Sequence, residues 1–304
     1  LGMEAYVTAK SHHDKSPENP GYHLVLLAET DEGFQNLKKI ASEGYVEGFY
    51  YRPRVSKDFL KEHAKGLIAL SACLGGEVAT KLLNDDEKGA EKAALSYREI
   101  FGEDHFFLEL MDHGEREERE VARALVRLSE KTGIGLVATN DVHYLDKEDA
   151  EAHDVLLCIQ MGKLLNDPKR MRFPSDEFYL KSEREMREIF AHLPEAIENT
   201  NRIARRCNVT IEFHKLHLPK FPLPEGEDPV EYLNRKTMAG IKRRYGDHPS
   251  ERVLSRMQKE LDVIHSMGYT DYFLIVWDFV RFAKQEGIPV GPGRGSAAGS
   301  IVSY

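Results

Sequence analysis

Asp141-Val142-His143 sets a carboxylate and an imidazole one residue apart, just after the apolar run Leu136–Ala138. In extended chain, side chains two positions apart point to the same side of the backbone. Such a pair suits Zn²⁺, Mn²⁺ or Fe²⁺ better than Ca²⁺, which prefers an all-oxygen shell. The plain alternative is an aspartate making turn hydrogen bonds beside a surface histidine. Cys73 lies in Ser71-Ala72-Cys73-Leu74-Gly75-Gly76-Glu77, after the run Leu67–Leu70 and at a helix start. Backbone N–H groups there favour a thiolate, a good soft ligand, although most free cysteines are simply small buried hydrophobes. Glu4 and His23 sit within short apolar strands, Met3–Val7 and Tyr22–Ala28, where an unpaired carboxylate is costly to bury. Each needs a partner or must face a cavity. His113, after the run Phe106–Leu110, is placed in a supporting layer or against substrate, whereas His12-His13 falls in a polar loop and reads as solvated.

A second kind of chemistry is written near the other end. The glycine-rich segment Gly291–Ser300 can cradle phosphate oxygens with its free N–H groups, and Arg294 offers a forked donor. It is not a P-loop, because no Lys-Ser/Thr follows the last glycine. Gly293-x-Gly295-x-x-Ala298 fits a dinucleotide fingerprint only nominally, since no complete βαβ unit precedes it.

The elements that must position these residues follow a rhythm of apolar, β-rich segments and helix-period segments. Tyr22–Ala28 precedes Gly33–Glu43; Leu67–Leu70 precedes Glu77–Leu83; Phe106–Leu110 precedes Glu115–Lys131; Leu136–Ala138 precedes Lys147–Cys158. Repeated βα units predict an α/β fold, a mostly parallel sheet or barrel, whose chemistry gathers on loops leaving the carboxy ends of the strands. Between Phe213 and Pro229 the prolines bar both helix and central strand. The expected organisation is a first domain over 1–215, a proline-rich linker over 216–229 and a mostly helical second part over 230–304, with helices at Val230–Tyr245, Glu251–Ser266 and Tyr272–Gln285.

Composition narrows the classes. Hydrophobic residues make up 41% and charged ones 31%, with no apolar run of membrane-spanning length, so a membrane role is not expected. Three cysteines cannot build a disulfide framework in so long a chain, which points to a reducing, cytoplasmic setting. The net charge of −9 gives no basic footprint for nucleic acid, yet acidic residues gathered in a metal site leave room for one basic face. Both ends read as cut within an element: Leu1–Val7 looks like a strand already under way, and the chain stops just after the glycine turn.

Taken together, Gly2-Met3-Glu4-Ala5-Tyr6, His23–Ala28, Ser71–Glu77, Ala138-Thr139-Asn140-Asp141-Val142-His143-Tyr144, Tyr272–Val276 and Gly291–Ser296 resemble the alpha-subunit family of bacterial replicative DNA polymerase III, the C-family polymerases. The strings stand in the family's order and cover essentially the whole chain. The resemblance implies a distorted βα barrel of the polymerase-and-histidinol-phosphatase (PHP) type, short of its N-terminal part, followed by the start of a polymerase-beta-like palm. It places Glu4, His23, Cys73, Asp141 and His143 at metal-ligand positions for Zn²⁺ or Mn²⁺, serving a 3′–5′ exonuclease. Arg294, Gly295 and Ser296 fall at the triphosphate of an incoming nucleotide.

The family's His-x-His, its nearby aspartate and a later histidine are expected upstream of Leu1, so metal affinity in this chain alone should be weakened. The aspartates that bind Mg²⁺ for polymerisation are expected beyond Tyr304. The implied partners are a DNA primer-template, deoxynucleoside triphosphates, a sliding clamp, a clamp loader and a proofreading subunit. Two rivals stand beside this assignment: a free-standing PHP-type phosphatase, and a metal-free scaffold that docks a proofreading exonuclease.

Overall fold

A computed structural model describes residues 1–213, 215 and 217–304; His214 and Leu216, the latter opening the expected linker, lie outside the described residues. The chain forms two compact units, Leu1–Ile211 and Glu212–Tyr304.

The first unit is built on a six-stranded sheet of β1 (Gly2–Thr8), β2 (Gly21–Ala28), β3 (Arg54–Ser56), β4 (Leu67–Leu70), β5 (Phe106–Leu110) and β6 (Leu136–Ala138), in the order β3-β1-β2-β4-β5-β6. β2 runs antiparallel to both its neighbours, and the remaining pairings are parallel. The βα rhythm therefore describes most of the sheet, while β1 and β2 add a reversed pair. β4 and β5 are buried along their whole length, as strands covered on both faces must be, and this explains their unbroken apolar runs.

Eight α-helices accompany the strands among the described residues: α1 (Asp31–Val46), α2 (Lys57–His63), α3 (Glu77–Leu83), α4 (Glu87–Phe101), α5 (Arg116–Thr132), α6 (Ala150–Met161), α7 (Glu183–Ile189) and α8 (Pro194–Arg206). One face of the sheet presents Leu24, Leu26, Ala69, Phe106 and Leu108 to the larger core, joined by Leu37 and Ile40 of α1 and Ala94 and Tyr97 of α4. The opposite face carries Ile68, Leu70, Phe107 and Val137, packed with Ile203 of α8. Burying such side chains is worth about 1.5–3 kcal/mol each, enough to fix which residues of every strand face which way.

The second unit is helical: α9 (Pro229–Tyr245), α10 (Glu251–Ser266) and α11 (Thr270–Gln285). Asp228 accepts the free N–H groups of Val230 and Glu231, and Pro229 opens α9 where no N–H is needed. Leu233, Ile241, Met257, Leu261, Ile264 and Leu274 form its core, and Phe221 and Leu223 of the proline-rich stretch pack against it.

Candidate metal centre and nucleotide turn

The reversed direction of β2 determines where the site lies. His23 is near the start of β2, so it sits level with the carboxy ends of the parallel strands on either side. Tyr6 pairs with His23 and Glu4 with Val25, so strand alternation puts Glu4, Tyr6 and His23 on one face. The rings of Tyr6 and His23 meet edge to face at 4.7 Å.

The loop after β4 brings Cys73 to this face. Cys73 Sγ lies 3.6 Å from His23 Nδ1, and the His23 N–H donates to the Gly75 carbonyl at 3.0 Å. Gly76 keeps the loop tight, since a Cβ there would stand 2.1 Å from the Ser71 carbonyl oxygen. Burial lowers the His23 pKa against the pull of Glu4 and Asp141, and burial raises that of Cys73. Cys73 does not stand at the helix start: α3 begins only at Glu77, with Gly76 as its N-cap, so Cys73 lies in the loop before it.

Asp141 and His143 follow β6, but not in extended chain. Asp141 has φ +44°, in the left-handed region, so the backbone bends between the two ligands. Asp141 Oδ1 lies 3.9 Å from His143 Nδ1, which in turn sits 2.8 Å from the Asp141 carbonyl oxygen. His113 is buried, with Nδ1 2.7 Å from Glu118 and Nε2 2.8 Å from the Asn140 carbonyl oxygen. Both ring nitrogens are committed, so His113 holds the backbone next to Asp141 and has none left for a substrate. Burial opposes its charged form, but the bonds to Glu118 and Asn140 outweigh it, and its pKa rises.

Glu109 was not singled out from sequence. It lies near the end of β5, 5% exposed, and its carboxylate accepts the Ala72 N–H at 2.9 Å and the Thr139 hydroxyl at 2.6 Å. Burial pushes its pKa up to about 7, with Asp141 and Glu4 adding to the rise and the two hydrogen bonds opposing it. Ala72 has φ +63°, a conformation that costs a residue with a side chain roughly 1–2 kcal/mol. His153 of α6 is a further imidazole beside the site, its ring 5.7 Å from that of His143. A glutamate interrupting an apolar strand is the signal that would have found Glu109.

The structure thus brings His23 to Cys73 and Asp141 to His143, and the fields of Glu4 and Asp141 both reach His23, Cys73 and Glu109. Carboxylate, imidazole and thiol donors beside mutually repelling carboxylates fit a divalent cation of the Zn²⁺ or Mn²⁺ kind. Among the described residues, the set whose ligand atoms all lie within 4.8 Å of one another is a different one: His12, His13 and Glu43. His12 is buried rather than solvated, because Ser56 N–H donates to its Nδ1 at 3.2 Å and Glu43 lies 2.8 Å from its Nε2. Those two contacts fix its proton on Nε2, facing Glu43, which leaves no lone pair for a metal.

In the second unit, the glycine-rich turn is exposed, with φ +89° at Gly293 and +63° at Gly295, where glycine alone is unstrained. Arg294 precedes a short 3₁₀ turn, Gly295–Gly299, that includes Ser296. The chain just beyond is anchored to α10: Glu260 accepts the Ser300 hydroxyl at 2.8 Å and the Val302 N–H at 3.2 Å.

The PHP domain family matches residues 1–113, and the family described as the bacterial DNA polymerase III alpha NTPase domain matches residues 231–304. The chain is 46% identical over 308 residues to DNA polymerase III subunit alpha of Treponema pallidum (strain Nichols), covering all of this chain and 26% of the relative. It is 44% identical over 309 residues to that of Borreliella burgdorferi, again covering all of this chain and 27% of the relative, and 41% identical over 370 residues to that of Thermus aquaticus, covering 30% of it. The chain spans about a quarter of the length of the curated relatives it matches. A PHP-domain match is thus followed by a match to the bacterial DNA polymerase III alpha NTPase domain, and the chain is similar from end to end to part of DNA polymerase III subunit alpha.

Proposed function

We propose that this chain is the PHP-bearing part of a replicative, cytoplasmic DNA-directed DNA polymerase, which extends a DNA primer on its template from deoxynucleoside triphosphates. The observation that carries this is the pairing of both family matches in one chain with identity along its whole length. A free-standing phosphatase would have no use for the helical second unit and its Gly293-Arg294-Gly295-Ser296 turn. In the polymerase reading, Arg294 and the turn's N–H groups bind the triphosphate, and Mg²⁺ is the metal of polymerisation.

Glu4, His23, Cys73, Asp141 and His143 are proposed to hold Zn²⁺ or Mn²⁺ in the PHP domain, in support of 3′–5′ phosphodiester hydrolysis. Such a cation supplies Lewis acidity to a phosphodiester and offsets the carboxylate repulsion. The residues themselves do the rest. His143 keeps its proton on Nδ1, against the Asp141 carbonyl, and so presents the Nε2 lone pair. Cys73 would hold such a cation as a thiolate, with His23 Nδ1 3.6 Å from its sulfur. A sliding clamp, a clamp loader and a proofreading subunit are the partners this role calls for.

Primer extension by the full-length protein tests the assignment. Template-dependent synthesis is expected, and its absence would restore the phosphatase reading.

A further inference from the structure

Two loops carry three of the five proposed ligands, Ser71–Gly76 after β4 and Thr139–His143 after β6, and each contains a side-chain-bearing residue in the left-handed region, Ala72 and Asp141. Such backbones persist only where the surroundings hold them. The strand between them is β5, and one residue of it touches both loops. Glu109 Oε2 accepts the Ala72 N–H at 2.9 Å, and its Oε1 accepts the Thr139 hydroxyl at 2.6 Å. Its own backbone N–H donates to the Ser71 hydroxyl at 2.8 Å, and the Ser71 N–H donates to the Phe107 carbonyl at 3.0 Å.

We propose that Glu109 is a positioning residue for the metal centre, a buried carboxylate that braces the Cys73 loop and the Asp141 loop against each other so that their ligands are set before any cation arrives. The proposal deepens the metal reading above and rests on it for its purpose, though the bracing itself does not need a metal. Chemistry favours a carboxylate here because both partners are donors. Ligand supports of this kind usually change metal affinity by about 10- to 100-fold when removed.

Amide hydrogen exchange on the 304-residue chain is the test. In Glu109→Ala, peptides covering residues 71–76 and 139–143 should exchange faster together by at least about tenfold, the effect of a lost hydrogen bond at each. Exchange in β1 and in the second unit should stay as it was. Glu109→Gln should restore both loops, because its amide oxygen still accepts from Ala72 and its NH₂ can donate to Thr139. Phe107→Leu, on the same strand and face, should destabilise the fold without that paired signature. Should Glu109→Ala fail to fold, Thr139→Val replaces it, and the expected sign is faster exchange in residues 71–76, to which Thr139 is linked by hydrogen bonds through Glu109. Exchange that is unchanged, confined to one loop or raised uniformly across the first unit would overturn the proposal. A parallel Zn²⁺ titration of the unmutated full-length protein judges the metal reading separately: no binding there sinks that reading, while paired loop exchange still decides the role of Glu109.

Discussion

His143 Nδ1 lies 2.8 Å from the carbonyl oxygen of Asp141, a contact that determines which ring nitrogen is free. A carbonyl only accepts, so Nδ1 carries the proton and Nε2 is left with its lone pair. Replacing His143 by Gln should therefore weaken Zn²⁺ binding by at least about tenfold, while the melting temperature without metal barely moves, because the side chain is 36% exposed. Competition titration with a chromogenic chelator reads the affinity. Equal affinities for wild type and variant would remove His143 from the ligand set.

His113 supplies the pH dependence. Its folded pKa lies above the ordinary 6.5, so the pair with Glu118 contributes stability fully below 6.5 and loses it as pH rises through the raised value. Thermal unfolding of the first unit should accordingly weaken from mildly acidic to alkaline pH, and the gap between wild type and His113→Gln should shrink over the same range. A gap that widens with pH would show that the imidazole is held neutral instead.

Gly76 guards the Cys73 loop. With the Ser71 and Cys73 carbonyl oxygens at 2.1 and 3.2 Å from a new Cβ, Gly76→Ala should destabilise the first unit by about 1–3 kcal/mol and speed alkylation of Cys73. Thermal melts and thiol labelling report the two effects independently.

The nucleotide turn makes a different prediction. Arg294 lies in an exposed segment, so Arg294→Ala should leave the fold intact. In the full-length polymerase it should raise the KM for nucleotide by roughly tenfold, about the worth of one charge-assisted hydrogen bond to phosphate. Steady-state primer extension at varied nucleotide concentration measures it.

The sheet was legible where burial on both faces made strands read as unbroken apolar runs, as in Leu67–Leu70 and Phe106–Leu110. β3 was not, since three residues beginning with Arg54 carry no such run. The long helix α4 is lined by Ala90, Ala93 and Ala94, small side chains whose contrast with the polar face is weak. The ligand types at Cys73, Asp141 and His143 were visible because they follow strands directly. Their local geometry was not: the left-handed turn at Asp141 depends on contacts from elsewhere in the chain, such as that of His113 with the Asn140 carbonyl. His12 looked solvated because its partners, Glu43 and Ser56, are far from it in sequence. Glu109 was hidden for the same reason, its partners Ala72 and Thr139 lying on two other loops.

In the proposed centre the PHP domain holds a divalent metal through Glu4, His23, Cys73, Asp141 and His143. Elemental analysis of the purified full-length protein, wild type beside Asp141→Asn, tests it most directly. Bound Zn²⁺ or Mn²⁺ is expected in the wild type, sharply reduced in the variant together with its thermal stability. No bound metal in the wild type and no loss of stability in Asp141→Asn would contradict it, leaving the first unit as a metal-free scaffold.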